Sequence, residues 1–206
     1  MFFKKSLICA ALAVSAFAAQ ADNLVVNGSF EQVSASNSQA AGSWGTYNSI
    51  TGWTGTPNIE VRDNVAGAAQ NGSNFVELDT NNNSGMYQVI SGSGWYNLSF
   101  WYSAREGVAA GSNGLGFNFG SLSGQVLTNV AGAPSGNVWQ QYTGLVNLNG
   151  PTSLMFYATG KSDSLGGSLD NVSVTTAVPE PESYAMMLAG LGLMGAIARR
   201  RKSKTA

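Results

Sequence analysis

Residues 22–177 read as an all-β domain, a sandwich or barrel of packed antiparallel strands, on three observations. Short β-prone runs are separated by turn-forming clusters such as Asn71-Gly72, Ser91-Gly92-Ser93-Gly94, Ser112-Asn113-Gly114, Asn149-Gly150-Pro151 and Gly166-Gly167. No long stretch carries a helical period. Within the runs, apolar and polar residues alternate, which is the period of a strand with one face in a core.

The chain opens differently. Lys4-Lys5 precedes an apolar run from Leu7 to Ala18, and Ala19-Gln20-Ala21 follows. A basic head, a short apolar stretch and a small-x-small site make residues 1–21 a secretory signal peptide, with cleavage after Ala21. The run is shorter than the roughly 20 residues that a spanning helix needs. Cys9, the one cysteine, lies inside the removed part, and the bulky Ile8 before it argues against a lipoprotein site. A mature exported domain without cysteine relies on its core rather than on disulfides.

Candidate strands then occur at 23–27, 58–62, 74–79, 86–90, 95–103, 115–120, 138–147, 153–159 and 168–175. That number suffices for two sheets, and a domain of about 150 residues buries close to 70% of its unfolded surface. In Trp95–Ser103 the core face is Tyr96, Leu98, Phe100 and Tyr102, leaving Asn97, Ser99 and Trp101 opposite. Ile59 and Val61 point inward, with Glu60 and Arg62 outward. Leu115, Phe117 and Phe119 repeat the pattern, as do Leu154, Phe156 and Ala158. Val172 and Val174 share their face with Asp170, so that carboxylate is expected to be partly buried.

Composition excludes several chemistries. There is no histidine, so neither Ser-His-Asp or Cys-His catalysis nor a histidine metal site is open to the chain. Between Asp22 and Glu182 stand eleven acids against Arg62, Arg105 and Lys161, a net of −8. Three scattered cations do not track a phosphate backbone, so nucleic acid is not an expected partner.

The C-terminal segment, 178–206, is a separate unit. Val178-Pro179-Glu180-Pro181-Glu182 is stiff, acidic and strand-breaking. Tyr184 to Ala198 follows as fifteen uncharged residues, and Arg199-Arg200-Arg201-Lys202 begins the basic tail, 199–204. As a transmembrane helix, 184–198 would be about 22 Å long, short of a hydrocarbon core of about 30 Å. Its flanks would snorkel, and the basic cluster would face the cytoplasm, leaving the β domain outside. The order of these parts resembles the PEP-CTERM sorting signal of Gram-negative bacteria. That resemblance implies exosortase as a partner, processing at Val178, Pro179, Glu180 and Pro181, an inner-membrane precursor, and a setting of extracellular polysaccharide production. A permanent membrane anchor is the alternative.

A second resemblance covers most of residues 23–175. Asn23-Leu24-Val25-Val26-Asn27-Gly28-Ser29-Phe30-Glu31, Gly52-Trp53 and Leu169-Asp170-Asn171-Val172-Ser173-Val174 are similar to the opening, middle and closing segments of jelly-roll carbohydrate-binding modules and galactose-binding-like domains. It implies a jelly-roll β-sandwich and a structural Ca²⁺ held by Glu31 and Asp170, with carbonyls from the Asn27–Ser29 turn completing an oxygen shell. The alternatives are that Asp170 caps backbone amides and that Glu31 pairs with an arginine.

Two further acidic features are weaker. Asp79-Thr80-Asn81-Asn82-Asn83-Ser84-Gly85 begins like an EF-hand loop, but its glycine is one position late and Ile90 stands where the bidentate Glu belongs. Glu77 and Asp79 share a strand face about 7 Å apart, near the spacing of glycosidase carboxylates. Such a pair is more commonly a solvated face. The better lead is aromatic, because sugar rings stack their C–H faces on Trp and Tyr while placed polar groups bond the hydroxyls. Trp101 lies on the polar face of its strand, with Arg105 just beyond; Trp44 and Tyr47, like Trp53, sit in a Gly/Ser/Thr-rich stretch read as loop. Trp53, Trp95 and Trp139 are assigned to packing. The expectation is an exported, non-catalytic surface or matrix protein associating with extracellular polysaccharide. A protein-binding adhesive module is the alternative, and a glycoside hydrolase stands third.

Overall fold

The computed structural model describes residues 22–177 and positions 188, 190–192 and 194, which are helical. Residues 1–21, read as a signal peptide, the sorting motif Val178–Pro181, the basic tail and the rest of 184–198 lie outside the described residues. Among the described residues no helix is long and apolar enough to cross a membrane.

Among the described residues ten strands follow one another: β1 (Trp44–Ile50), β2 (Trp53–Asp63), β3 (Asn74–Glu77), β4 (Gly85–Ile90), β5 (Ser93–Ser103), β6 (Leu115–Phe119), β7 (Leu122–Val126), β8 (Gln140–Asn149), β9 (Thr152–Ala158) and β10 (Ser168–Thr176). Every pairing is antiparallel, and hydrogen bonds run through the order β7-β6-β9-β4-β2-β3-β10-β5-β8, with β1 on the free side of β2. The long strand β2 is the seam. Its C-terminal half pairs with β3 (Glu60↔Glu77, Asp63↔Asn74), and its N-terminal half pairs with β4 (Thr54↔Tyr87, Thr56↔Gly85). β3 and β4 are thus one line along β2, parted by the loop 78–84. At that loop the sheet divides, β3-β10-β5-β8 going one way and β4-β9-β6-β7 the other.

The two halves close on each other as a sandwich. Phe100 of β5 meets Phe156 of β9 edge-on at 5.0 Å and Phe117 of β6 at 5.2 Å, while Tyr142 of β8 lies 4.6 Å from Phe117. Trp53, Phe30, Ile59, Val61, Leu98, Phe119, Leu154, Val172 and Val174 complete the buried core. The inward residues expected from alternation in β2, β5, β6 and β9 are therefore those found inside. Trp53 packs at 5.8 Å on Phe30 and at 6.1 Å on Phe156, and Trp139 meets Phe75 edge-on at 5.9 Å, so both have the packing roles expected.

Several expectations are corrected. Residues 23–27 are not a strand. They bend across β10, joined by Leu24 N–H to Val174 O (2.8 Å), and the crossing is close: a Cβ on Gly28 would lie 2.0 Å from Val172 O. The stretch read as loop around Trp44, Tyr47 and Trp53 is the β1–β2 hairpin, since aromatic and Thr side chains suit a pleated surface despite the intervening glycines. β7 was not foreseen. Trp95 is not packed but 55% exposed. Asp170 does not share the valines' face: a register shift between Asp170 and Ser173, where Asn171 has φ +47°, turns Leu169, Val172 and Val174 inward and Asp170 outward. Glu60 and Arg62 do point away from the core, yet loops cover them and both are buried.

Candidate functional site

On the face of β2 and β3 that turns from the core lies a layer of buried charge. Glu60 and Glu77 are cross-strand partners. Arg62 reaches Glu60 Oε1 at 2.5 Å and Glu77 Oε2 at 3.1 Å, and Arg105 Nη1 contacts Glu77 Oε2 at 3.0 Å. Glu77 also accepts from Gly166 N–H at 2.7 Å. Burial pushes the Glu77 carboxyl up to about 7, against the pull of Arg62, Arg105 and the Gly166 amide, with Glu60 adding a small upward push. Two carboxylates face each other with the Arg62 guanidinium bridging them and Arg105 on Glu77, so the layer pairs two acids with two cations.

Above this layer a cleft of about 280 Å³ opens between Trp44, Val65, Ala66, Thr80, Asn81, Arg105 and Ser164, with Glu60 and Arg62 at its floor. Trp44 stands on the edge strand β1 beside Arg62 and is 56% exposed, so its indole is a free wall. Arg105 is fixed by one nitrogen: Nη1 donates to Glu77 and to Ser164 O (3.1 Å), leaving Nε and Nη2 without partners among the described residues. The backbone of Arg105 is itself held, its N–H donating to Asn113 Oδ1 at 2.9 Å. Buried Asn113 in turn donates to Ala109 O and Val130 O, tying the 104–114 and 127–133 loops together. An aromatic plane, a planar cation and small polar groups converge here, which is the mix that holds a polyhydroxylated ring.

Of the four aromatic and cationic residues expected at a ligand site, the structure brings Trp44 and Arg105 together. Trp101 lies half-buried on β5 beside Asp170 and Gln141, apart from the cleft. Tyr47 packs against the core and donates its hydroxyl to Gln39 Oε1 at 2.6 Å. Glu60, Arg62, Thr80, Asn81 and Ser164 were missed. A signal existed for the first two: a Glu and an Arg two apart on one strand face, in a stretch from Asp22 to Glu182 with only three cations, form a natural ion pair.

The pair Glu77 and Asp79 is not a solvated face. Both residues are fully buried, and Asp79 Oδ2 accepts from the Asp163 and Leu165 amides at 2.8 and 3.2 Å. The opposed pair Glu60 and Glu77 comes nearer to glycosidase geometry, since cross-strand partners stand about 5 Å apart and one carboxyl is raised. Glu77 nonetheless has 0% exposure, and both of its oxygens serve arginine or amide donors. It has no atom to offer a substrate.

A second acidic centre binds the ends of the domain to the turn before β3. Asp170 Oδ2 accepts from Gln70 and Asn71 N–H at 2.8 and 2.9 Å, and Oδ1 from Asn171 N–H at 2.6 Å. Glu31 Oε1 accepts from Ser73 and Asn74 N–H at 3.0 and 2.9 Å, and Oε2 from Ser73 Oγ at 3.2 Å. Burial raises the Asp170 carboxyl to about 7, and the nearby Glu31 charge adds to it. Beside them Asn74 Oδ1 is buried with no hydrogen-bond partner. Two carboxylates and an orphaned amide oxygen are hard donors of the kind Ca²⁺ takes. In the Asn27–Ser29 turn, Asn27 O already accepts from Trp53 Nε1 (3.2 Å) and Gly28 O from Val172 N–H (2.8 Å). Glu31 has no arginine partner among the described ion pairs.

Comparison with known proteins gives three results. Residues 177–202 match the model of the PEP-CTERM protein-sorting motif. Stretches of 161 and 176 residues are 32% and 31% identical to multifunctional-autoprocessing repeats-in-toxin proteins of Vibrio vulnificus and Vibrio cholerae, covering 74% and 81% of this chain. The chain spans only 3% of the length of either toxin. Among solved structures, a CBM61 module in complex with β-1,4-galactotriose aligns at 13% identity over 75% of this chain and 99% of its own, with a TM-score of 0.43. CBM35 from Paenibacillus barcinonensis aligns at 24% identity over 66% of this chain and all of its own, with a TM-score of 0.39.

Proposed function

We propose that this chain, which carries a PEP-CTERM protein-sorting motif over residues 177–202, is an exported, non-catalytic surface protein whose β-sandwich holds extracellular polysaccharide in the Trp44–Arg105 cleft. The observation that carries the reading is the juxtaposition of an exposed indole with a guanidinium whose Nε and Nη2 are free, over a floor of immobilised charge. The sugar ring stacks on Trp44. Arg105, Thr80, Asn81 and Ser164 bond its hydroxyls, and Glu77, itself paired with Arg62, holds Arg105's position from below. No step of chemistry is required of the site, and Glu77 is too enclosed to supply one.

The test is binding. Affinity electrophoresis on a panel of neutral and acidic polysaccharides should retard the wild type, and Trp44→Ala should weaken that binding about tenfold or more, roughly 1.4 kcal/mol. Tyr47→Phe, which touches only the packing side, should leave it unchanged. No retardation on any glycan defeats the reading, and capture of a protein partner in its place would favour an adhesive module.

Export follows from the two ends. In this reading the signal peptide is removed after Ala21, the precursor is held in the inner membrane by the apolar 184–198 segment, and exosortase acts near Pro179-Glu180-Pro181. Intact-mass measurement of material released from the producing cell should give an N-terminus at Asp22 and a C-terminus before the basic cluster. A retained tail would identify a permanent anchor instead. Glu31, Asp170 and Asn74 Oδ1 are the residues that would hold a structural Ca²⁺. A bound ion would supply the positive charge that buried Asp170 and half-buried Glu31 lack.

A further inference from the structure

The edge of the sheet at β8 is built to pair with itself. β8 hydrogen-bonds on one side only, to β5, and its register runs unbroken from Ser93↔Asn149 to Tyr102↔Gln140. Its other side presents a row of backbone N–H and C=O groups ten residues long. Exposed edges are ordinarily guarded by charge, proline, a bulge or shortness. The other edges have such guards: β1 breaks register between Tyr47 and Ser49, and β7 is five residues long. β8, Gln-Gln-Tyr-Thr-Gly-Leu-Val-Asn-Leu-Asn, has no charge, no proline and no bulge.

Charge placement across the whole sandwich points the same way. The charged residues on strands are Glu60, Arg62, Asp63, Glu77 and Asp170, and all five are buried. Among the described residues no strand therefore presents an exposed charge. On the outward face beside the edge, Leu145 of β8 is 52% exposed, and it lies diagonally across from the exposed Trp95 of β5, whose direct partner is Asn147. Diagonal neighbours of this kind are within reach of long side chains. Two large apolar groups thus sit exposed next to an unguarded edge.

We propose that β8 pairs antiparallel with β8 of a second copy of this chain, about a two-fold axis at Leu145, joining two β3-β10-β5-β8 sheets into one. A two-fold axis sets each nearby side chain against its own counterpart, so any charge there would face a like charge. β8 avoids this. In that register Leu145 meets Leu145 of the second copy, Thr143 meets Asn147, and Gln141 meets Asn149. The outward face then carries one apolar strip, Trp95–Leu145–Leu145–Trp95, flanked by amide and hydroxyl groups that bond one another. The inference does not depend on the glycan reading, but it bears on it. Two clefts on one rigid body would hold a polymer by avidity, with the second contact made at high effective concentration.

Sedimentation of the purified full chain in mild detergent tests this. The wild type should sediment as a dimer, and more so at physiological than at low salt, because screening relieves the repulsion between two acidic bodies. Leu145→Lys should shift the dissociation constant at least tenfold toward monomer, while its melt should match the wild type's at a dilution where both are monomeric; should that variant fold poorly, Thr143→Lys serves in its place. With Cys9→Ser as background, Leu145→Cys should cross-link under mild oxidation, whereas Ser49→Cys on β1 should not. A monomer at all concentrations, or a dimer untouched by both lysine variants, overturns the proposal. Polysaccharide retardation measured on Leu145→Lys keeps the two readings apart, since loss of β8 pairing leaves each single cleft intact.

Discussion

Arg62→Ala is expected to lower the stability of the domain by about 3–5 kcal/mol, the usual consequence of removing one partner from a buried ion pair. Arg62 stands between Glu60 and Glu77, with its side chain 6% exposed. Without it the two carboxylates face one another across β2 and β3 with only Arg105 to offset them. The effect should depend on pH in a definite direction. Glu77 titrates near 7 in the folded protein, above its ordinary range, so the folded state takes up a proton that the unfolded chain does not between roughly pH 4.5 and 7. The wild type therefore gains stability as pH falls through that window and loses it as pH rises to 7. In Arg62→Ala the stranded Glu77 has a still higher pKa. Denaturant melts should show the full deficit at pH 8 and a much smaller one at pH 5, where a proton replaces the missing cation. An equal deficit at both values would mean that packing of the arginine stem, rather than charge, is what Arg62 supplies.

Asp170→Ala should be comparably severe. Three backbone amides, those of Gln70, Asn71 and Asn171, donate to this one carboxylate. Stranding a buried donor costs about 1–3 kcal/mol, and even with partial relaxation the sum is about 3 kcal/mol or more. That corresponds to a fall in melting temperature of roughly 10 °C for a domain of this size. The same variant decides whether calcium contributes. A chelator should lower the melting temperature of the wild type, since an ion that binds only the folded state stabilises it by mass action. Asp170→Ala, lacking a ligand, should be insensitive to chelator. A wild-type melt that the chelator leaves unchanged would show that Glu31 and Asp170 serve the 70–74 turn alone.

What the sequence made legible was the part governed by strand periodicity. Tyr96, Leu98 and Phe100, or Leu115, Phe117 and Phe119, alternate cleanly because one side of each strand meets the core and the other does not. The same rule misleads where a loop covers the outer face. Glu60, Arg62, Glu77 and Asp79 look like a solvated side and are buried, because nothing local to β2 or β3 encodes the 64–73, 104–114 and 160–167 segments that fold over them. Asp170 was expected to be buried, and is, but on the opposite face. One extra residue at Asn171 reverses every side chain before it, and no propensity announces a bulge. Trp44 and Arg105 were picked out as unusual residues, sixty-one positions apart, yet their meeting in one cleft depends on strand order, which a single sequence does not display. Trp95 shows the opposite error. Tryptophan is ordinarily packed, so its exposure became visible only once β5 was seen to lie next to an edge.

One consequence of the strand directions concerns presentation. β5 begins beside the point where the domain's last residue leaves the sandwich, Ala177 N–H being bonded to Trp95 O at 2.9 Å. It ends at Ser103, two residues short of Arg105, some 30 Å away at about 3.4 Å per residue. The described sandwich thus ends, at Ala177, near one pole while the Trp44–Arg105 cleft lies toward the other. Any load applied through Ala177 would therefore enter the sandwich at the end of β5 away from Arg105, with the length of that strand between the point of pull and the cleft.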